Sequence, residues 1–469
     1  MTERLVMQKA LADALATLAT EVPEPIALDV LEGAIPDAMR GVMLRNGPGR
    51  SERGGVSYGH PFDGDGFIQR LAIADGVAQY SAKYIQTREF VAEEAAGRIL
   101  FRGFGTNRPG GWWRNLLKMR FKNAANTSVV QHAGVTLVLW EGGIPHAIDP
   151  DTLDTIGRFD YDGALRNRFS TLDSILAPDL PFSAHPTIDP DTGEMFNFGT
   201  AYGTQNRLLV HRVCPEGTLS TRAIPLKSLP FVHDMVLTKR FVIFMLPRAT
   251  FNIPAALLGI QTPVNSLQLE DAPGTALLVP RDGGPVVRIP TGPGFVFHWA
   301  AAWEDGDQIT VEGVKYPGFP ALDELDQMFG PEGAPRILAK PVRITLDLNS
   351  RTASEQPLAD CTMELPSAIG SGPGRSIIGV GAPAQRMQPF FSSLIRLGPQ
   401  NTVTLRDLYP DLPGEPLHTG EHILVPLYRR GGHSEVWILD PDTLQTICRL
   451  GLPHPVPPPL HGIWIPAQP

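Results

Sequence analysis

A β-propeller-type all-β fold is what this sequence predicts. Three observations point to it: short apolar runs separated by turns, glycine and proline spread along the whole chain, and a recurring Asp-Pro-Asp-Thr turn. The apolar runs include Thr136–Trp140, Leu208–Val213, Phe241–Leu246, Ala276–Pro280, Ile309–Val314, Val342–Leu348, His422–Tyr428 and Val436–Leu439. Val, Ile, Leu, Phe and Tyr dominate them, and Gly, Pro, Asp or Asn bound them, which is strand-and-turn chemistry. The 469 residues contain 47 glycines and 46 prolines, enough to punctuate many short strands. The turn appears at Asp149-Pro150-Asp151-Thr152, Asp189-Pro190-Asp191-Thr192 and Asp440-Pro441-Asp442-Thr443. Proline fixes φ there, and the aspartate side chain accepts backbone hydrogen bonds. The last two copies are separated by about six blade lengths of ~40–45 residues, and the chain has room for seven blades plus insertions. Long stretches of helical period are scarce, so helices are expected only as small inserts. No linker or low-complexity segment interrupts the chain. Residues 1–469 read as one domain, with residues 1–20 a flexible or helical N-terminal segment in which Leu5–Leu18 is weakly amphipathic.

Composition narrows the function classes. Hydrophobic residues make up 42% and charged residues 19%, which supports a large core and argues against disorder. The net charge of −9 makes a nucleic-acid partner unexpected, because phosphate neutralisation needs a positive field. Cys214, Cys361 and Cys448 are far apart and form no CxxC pair. They suggest neither a disulfide framework nor a thiolate metal site, and fit a reducing, cytoplasmic setting. The N-terminal residues lack the apolar run of a signal peptide. No window reaches the roughly 18–20 apolar residues needed to span a bilayer.

Four of the twelve histidines share a context at or near the edge of a strand-like run. They occur in Phe182-Ser183-Ala184-His185-Pro186, Phe231-Val232-His233-Asp234, Phe295-Val296-Phe297-His298 and Leu460-His461-Gly462-Ile463-Trp464. On a propeller these fall on different blades, whose inner strands converge on the axis. Neutral imidazoles suit iron, zinc or copper. A lone histidine among apolar neighbours is, however, more often a satisfied core residue than a ligand, and the spacing matches no short zinc signature. From the residues alone, both readings stay open.

A longer series of segments bears on the choice. In order they are Leu31-Glu32-Gly33-Ala34-Ile35-Pro36, Leu44-Arg45-Asn46-Gly47-Pro48-Gly49, His60-Pro61-Phe62-Asp63-Gly64-Asp65-Gly66, Lys122-Asn123-Ala124-Ala125-Asn126-Thr127 and Leu139-Trp140-Glu141-Gly142-Gly143-Ile144-Pro145. Glu364-Leu365-Pro366 and the four histidine segments complete the series. From about Glu21 to Pro466 the chain resembles the carotenoid cleavage oxygenases, a family that also includes stilbene-cleaving dioxygenases and the retinoid isomerase of the eye. Phe104-Gly105-Thr106-Asn107-Arg108-Pro109-Gly110-Gly111-Trp112 resembles its cyanobacterial, apocarotenoid-cleaving and retinal-forming branch.

The resemblance implies a seven-bladed β-propeller with loops capping an axial Fe(2+) held by His185, His233, His298 and His461. It implies that Glu141, Glu364 and Glu421 accept the outer N–H groups of those histidines. Four neutral ligands leave the ion its full charge and open positions for oxygen. Carboxylates behind the imidazoles fix ring orientation, and losing one typically costs ~10–100-fold in metal affinity or activity. At Glu421 the chain departs from the family, where Glu-Pro-x-Phe-Val-Pro is usual. Here Glu421-His422-Ile423-Leu424-Val425-Pro426 stands instead. Trp140, Phe297 and Phe62 are candidate substrate contacts, each equally readable as core packing.

Residues 110–123, GGWWRNLLKMRFKN, form a basic, aromatic island in an acidic protein. Trp112, Trp113, Leu116, Leu117, Met119 and Phe121 interleave with Arg114, Lys118, Arg120 and Lys122, the composition of an interfacial helix. This predicts peripheral attachment to a membrane; a helix packed on the propeller is the plainer alternative. Phe251–Ile260 is a second apolar stretch, either lining the entrance of a substrate tunnel beside this segment or lying in the core.

The expected function is that of a non-haem iron dioxygenase. It would cleave a carbon–carbon double bond of an apocarotenoid or carotenoid with O2 into two carbonyl products, one a retinal-type aldehyde. Its partners would be an apolar polyene, O2 and a membrane surface, with no obligate protein partner. A stilbene- or phenylpropenoid-cleaving dioxygenase is the alternative within the family, and a non-catalytic carotenoid-binding propeller the alternative outside catalysis. A zinc hydrolase is disfavoured, because catalytic zinc usually takes three protein ligands and a water.

Overall fold

The computed structural model of the protein describes residues 13–14, 17–118, 120–227, 231–317, 339–383, 392–457 and 460–467. Most of the expected helix Leu5–Leu18, and Met119 of the basic aromatic segment, lie outside them. Seven antiparallel sheets of four or more strands form the architecture, a seven-bladed β-propeller. Helices are few and short, as in Arg88–Ala96, Thr171–Leu176 and Ile253–Leu257.

The chain divides into two compact units. One comprises residues 1–184, 252–266 and 408–469, the other residues 185–251 and 267–407. The first unit holds three sheets, two of which combine strands from both ends of the chain. In one, Val22–Ala27, Val77–Tyr84, Gly66–Ala74 and Gly41–Pro48 are joined by His461–Pro466, in register from Gly41↔Pro466 to Asn46↔His461. In another, Asp29–Gly33 pairs with Thr446–Gly451, followed by His433–Leu439, Ile423–Arg429 and Leu412–Pro413. Pairing across the termini removes strand edges that would otherwise be open to aggregation. The third sheet is Ser128–His132, Val135–Leu139, His146–Ile148 and Thr155–Arg158.

The second unit holds four sheets, whose first strands are Thr187–Ile188, Val236–Leu237, Phe295–Asp305 and Cys361–Ile369. Its core is continuous across neighbouring sheets. One cluster joins Ile243, Ala276 and Leu278 to Ile309, Val311, Ile344 and Leu346.

Strands flanked by others on both sides are buried along most of their length. Ile423–Arg429 is one example, and such strands read as unbroken apolar runs. Outermost strands such as Val403–Asp407 alternate exposed and half-buried residues, so they leave a weaker mark in the sequence. The expected run Phe241–Leu246 coincides with a strand, and Ile309–Val314 lies within Gln308–Tyr316.

The Asp-Pro-Asp-Thr copies are turns of one kind but not one position. Asp149 Oδ1 accepts the N–H groups of Asp151 and Thr152, both at 2.9 Å. Asp440 Oδ1 accepts those of Asp442 and Thr443 at 3.1 and 2.7 Å. Both of these turns connect the third and fourth strands of a sheet, whereas the Asp189 turn connects a first strand to a second. Because the Asp189 turn differs in position from the other two, neither the spacing of the first two copies nor that of the last two is a whole number of blades, and the expected six-blade separation is corrected. An aspartate-closed turn recurs wherever a hairpin needs one.

Candidate metal centre

Three of the four singled-out histidines come together in the second unit. His185 lies just before Thr187–Ile188, His233 just before Val236–Leu237, and His298 within Phe295–Asp305, so each belongs to the first strand of its sheet or its approach. Ring centroids are 4.4 Å apart for His185 and His233, 5.1 Å for His233 and His298, and 5.5 Å for His185 and His298. Ligand atoms of His185 lie within 4.8 Å of those of both others.

The backbone is shaped for this. The His298 strand shifts register between Val296 and Trp299 and again before Ala301, and such bulges re-aim side chains. Asp234 accepts the backbone N–H of Trp299 at 2.8 Å and of Met235 at 2.7 Å, tying the His233 loop to the His298 strand. Burial raises the Asp234 pKa against the pull of His185 and these N–H groups.

Glu364 stands behind His298, with Oε2 at 2.7 Å from Nδ1. Its other oxygen accepts the Tyr316 hydroxyl at 2.6 Å, and Oε2 also accepts the Leu365 N–H at 2.8 Å. Burial alone would raise the Glu364 pKa; His298, the phenol and the N–H together hold it below the usual carboxylate range. Leu365 has φ of 51°, and the strand shifts register between Glu364 and Ser367. A left-handed leucine is strained, and its strain sits where the carboxylate is aimed.

In the first unit His461 opens the strand His461–Pro466. Its Nδ1 lies 2.9 Å from Oε1 of Glu415, whose Oε2 accepts the Gly462 N–H at 3.0 Å. Burial raises the Glu415 pKa, but His461, Arg45 and this N–H outweigh it and the net shift is downward. The expected residue here was Glu421, and the structure corrects it. Glu421 is exposed, in the turn where the Thr419 N–H meets the His422 carbonyl at 2.8 Å. Glu415, between Leu412–Pro413 and Leu417–His418, is the carboxylate that reaches the imidazole. Glu415-Pro416 also carries the Glu-Pro pair of the family motif, a signal that would have found it.

Glu141 and Trp140 follow Val135–Leu139 in the first unit, both half-buried. A Cβ on Gly143 would meet the Trp140 ring at 3.0 Å and the Asn123 amide at 2.5 Å, so Glu141-Gly142-Gly143 closes tightly over the indole. Phe62 is half-buried, its ring 4.7 Å from His60. Phe297 packs edge-on against His233 at 5.0 Å, Phe295 at 4.6 Å and Tyr316 at 5.4 Å. Sequence reasoning passed over Tyr316, Asp234 and Glu415; Asp234 adjoins His233 and Glu415 carries the Glu-Pro pair, whereas nothing beside Tyr316 marks its role.

The basic aromatic segment is not the expected helix. Trp112–Arg114 is a single 3-10 turn, entered through Gly110 and Gly111 at φ of 105° and 101° and left through Leu117 at 55°. Buried Arg102 organises it. Its guanidinium donates to the carbonyls of Lys118, Ala256 and Gln261 at 3.1–3.2 Å, and its Nε donates to Asn107 Oδ1 at 3.0 Å. The Leu117 N–H meets the Leu257 carbonyl at 2.8 Å, so the two apolar stretches form one surface. Trp113, Leu117 and Ile260 are 61%, 68% and 63% exposed on it. Phe121, expected to face lipid, is half-buried with the Arg102 guanidinium 5.5 Å over its ring.

Three imidazoles on or just before the first strands of their sheets, one of them backed by a carboxylate on Nδ1, form in the second unit a cluster of nitrogen donors of the kind that suits a cation. The chain belongs to the family described as retinal pigment epithelial membrane protein (RPE65), that of the carotenoid cleavage oxygenases, whose profile matches residues 15–466. It is 32% identical to the apocarotenoid-15,15'-oxygenase of Synechocystis sp. over 92% of each chain. It is 29% identical to the isoeugenol monooxygenase of Pseudomonas nitroreducens over 74% of this chain and 71% of that one. The crystal structure of cobalt-substituted Synechocystis apocarotenoid oxygenase is 29% identical, with a TM-score of 0.89 over 98% of this chain and 99% of that one.

Proposed function

We propose that the protein cleaves a carbon–carbon double bond of an apocarotenoid with dioxygen, giving two carbonyl products of which one is a retinal-type aldehyde. The single observation that carries this is the convergence of His185, His233 and His298 within a carotenoid-oxygenase propeller. In this reading His461 is the fourth ligand, because its Nδ1 is engaged by Glu415 as that of His298 is by Glu364. Glu141 serves a third histidine. Four neutral nitrogen donors suit iron(II), which when bound supplies a redox-active dication with open coordination positions. Glu364 and Glu415 hold the Nδ1 protons and so keep each Nε2 lone pair facing inward. Half-buried Phe297 packs edge-on beside His233, with buried Phe295 behind it and Phe231 against Phe295, an apolar wall suited to a polyene and hostile to water. We read residues 1–469 as one catalytic domain, since the first unit draws on three separate stretches of chain.

The exposed surface of Trp112, Trp113, Leu116, Leu117 and Ile260, with Arg114 beside it, is in this reading a peripheral membrane contact through which an apolar substrate arrives. Among the described residues no helix is long and apolar enough to cross a membrane.

Cleavage of a phenolic stilbene or phenylpropenoid is the competing reading. It calls for a tyrosine and a lysine at the phenol. Tyr58 and Lys122 stand 3.1 Å apart, but Lys122 is buried and already paired to Asp65 at 2.6 Å and Glu93 at 3.0 Å. That pairing favours the apocarotenoid. The test is mass spectrometry of products from an apocarotenal, a hydroxystilbene and isoeugenol, each with iron(II) and O2. A retinal-type aldehyde from the first supports the proposal; turnover of only the phenolic substrates, or of none, overturns it.

A further inference from the structure

The two carboxylate–histidine pairs are built differently. Glu364 is backed by the neutral hydroxyl of Tyr316, whereas Glu415 is backed by a cation. Arg45, on Gly41–Pro48, is 1% exposed. Its Nη1 donates to the Glu415 backbone carbonyl at 2.7 Å and its Nη2 to Glu415 Oε2 at 3.3 Å. Nη2 also reaches the carbonyl of Leu460, the residue before His461, at 3.5 Å. Strand pairing sets Arg45 directly opposite Gly462, whose N–H bonds the same carboxylate. One guanidinium thus grips the carboxylate, the backbone that carries it, and the approach to the histidine.

We propose that Arg45 is a positioning residue for the metal centre, acting through Glu415 to fix the ring orientation and tautomer of His461. The inference rests on the four-histidine reading above. A guanidinium suits the task because its donors form a rigid planar fork able to hold a carbonyl and a carboxylate at once, which a lysine ammonium does less well. A carboxylate held in place keeps the imidazole proton on Nδ1. Once it swings free, the neutral ring samples the other tautomer, whose Nε2 carries a proton and cannot bind a metal. The cation also offsets the Glu415 charge, so His461 donates less electron density than His298, whose carboxylate has no cation among the partners described above. The centre is therefore electronically uneven.

Another buried arginine among the described residues does something else. Arg375, also 1% exposed, pairs with Glu312 beside the Trp303 ring, and that glutamate backs none of the four histidines. It is the matched control for losing a buried guanidinium.

The experiment is titration of the metal-free full-length protein with cobalt(II), followed by its visible ligand-field absorption. Arg45→Met is expected to weaken cobalt binding by about 10–100-fold and to alter the spectrum. Glu415→Gln should do likewise, and the double variant should bind no more weakly than Glu415→Gln alone, since both act on one imidazole. Arg375→Met should lower the melting temperature and leave affinity and spectrum unchanged. Unchanged cobalt binding in Arg45→Met, or an equal loss in Arg375→Met, overturns the inference. If Arg45→Met does not fold, Arg45→Lys replaces it, and wild-type affinity and spectrum there would overturn the inference equally. His461→Ala separates the two levels. If it binds cobalt as tightly as the wild type, the four-histidine reading itself fails; if it binds weakly while Arg45→Met does not, only the role of Arg45 fails.

Discussion

Replacing Tyr316 by phenylalanine removes one oxygen from the site and tests whether Glu364 must be held in order to hold His298. The hydroxyl donates to Glu364 Oε1 at 2.6 Å, and both residues are buried. A hydrogen bond to a charged group contributes about 1.5–3 kcal/mol. The carboxylate keeps its Oε2 contacts to His298 at 2.7 Å and Leu365 at 2.8 Å, so it is loosened and not released. A loss at the lower end, about 1.5 kcal/mol, corresponds to roughly tenfold in an equilibrium constant. In a chain of this length it moves the melting temperature by only about 1–3 °C. Tyr316→Phe should therefore fold normally, bind metal about tenfold more weakly, and need proportionately more iron(II) for half-maximal turnover. Calorimetric titration of the metal-free protein, beside thermal denaturation, reads both quantities. Wild-type metal affinity in Tyr316→Phe and also in Glu364→Gln would refute the reasoning, because the carboxylate would then not be acting on the histidine.

Three further outcomes follow from the same geometry. Glu421→Gln should leave metal affinity and activity at wild-type levels, and a loss like that of Glu415→Gln would restore Glu421 to the site. Arg102→Met should unfasten the Trp112–Leu117 turn from Ile253–Leu257 and, like Trp113→Glu with Leu117→Glu, reduce sedimentation with anionic lipid vesicles; undiminished vesicle binding in both variants would remove the membrane reading. Buried His60 and His146 each have a pKa lowered to about 4, by burial and, for His146, also by the Arg158 charge. The unfolded chain therefore takes up protons that the folded one does not between pH 6.5 and 4. Stability is full above 6.5 and falls with pH through that window, by roughly 2 kcal/mol per histidine on going to pH 5. Urea denaturation at pH 7 and pH 5 measures this, and an unchanged slope in His146→Gln would show that the residue does not contribute.

The fold class was legible in the amino-acid order, and so were the histidines proposed as ligands. Strands such as Phe241–Leu246 and Ile423–Arg429 are buried over most of their length, so their burial is written as an unbroken apolar run. The candidate histidines stand at or near the edge of such runs, and they and Glu364 become legible as a set through the family pattern of their segments. Tertiary structure alone decided the rest. Glu415 lies 46 residues from His461, and Arg45 lies 370 residues from Glu415, brought together where Gly41–Pro48 pairs with His461–Pro466. No local periodicity encodes a partner at that distance. The Glu415-Pro416 pair is the one local mark that separates a half-buried Glu415 from an exposed Glu421; the decisive difference is reach, because Glu415 meets His461 Nδ1 at 2.9 Å. The basic aromatic segment teaches the same point. Its composition announced an interface, but its shape was set by Arg102, whose fork gathers carbonyls from two stretches more than a hundred residues apart in sequence.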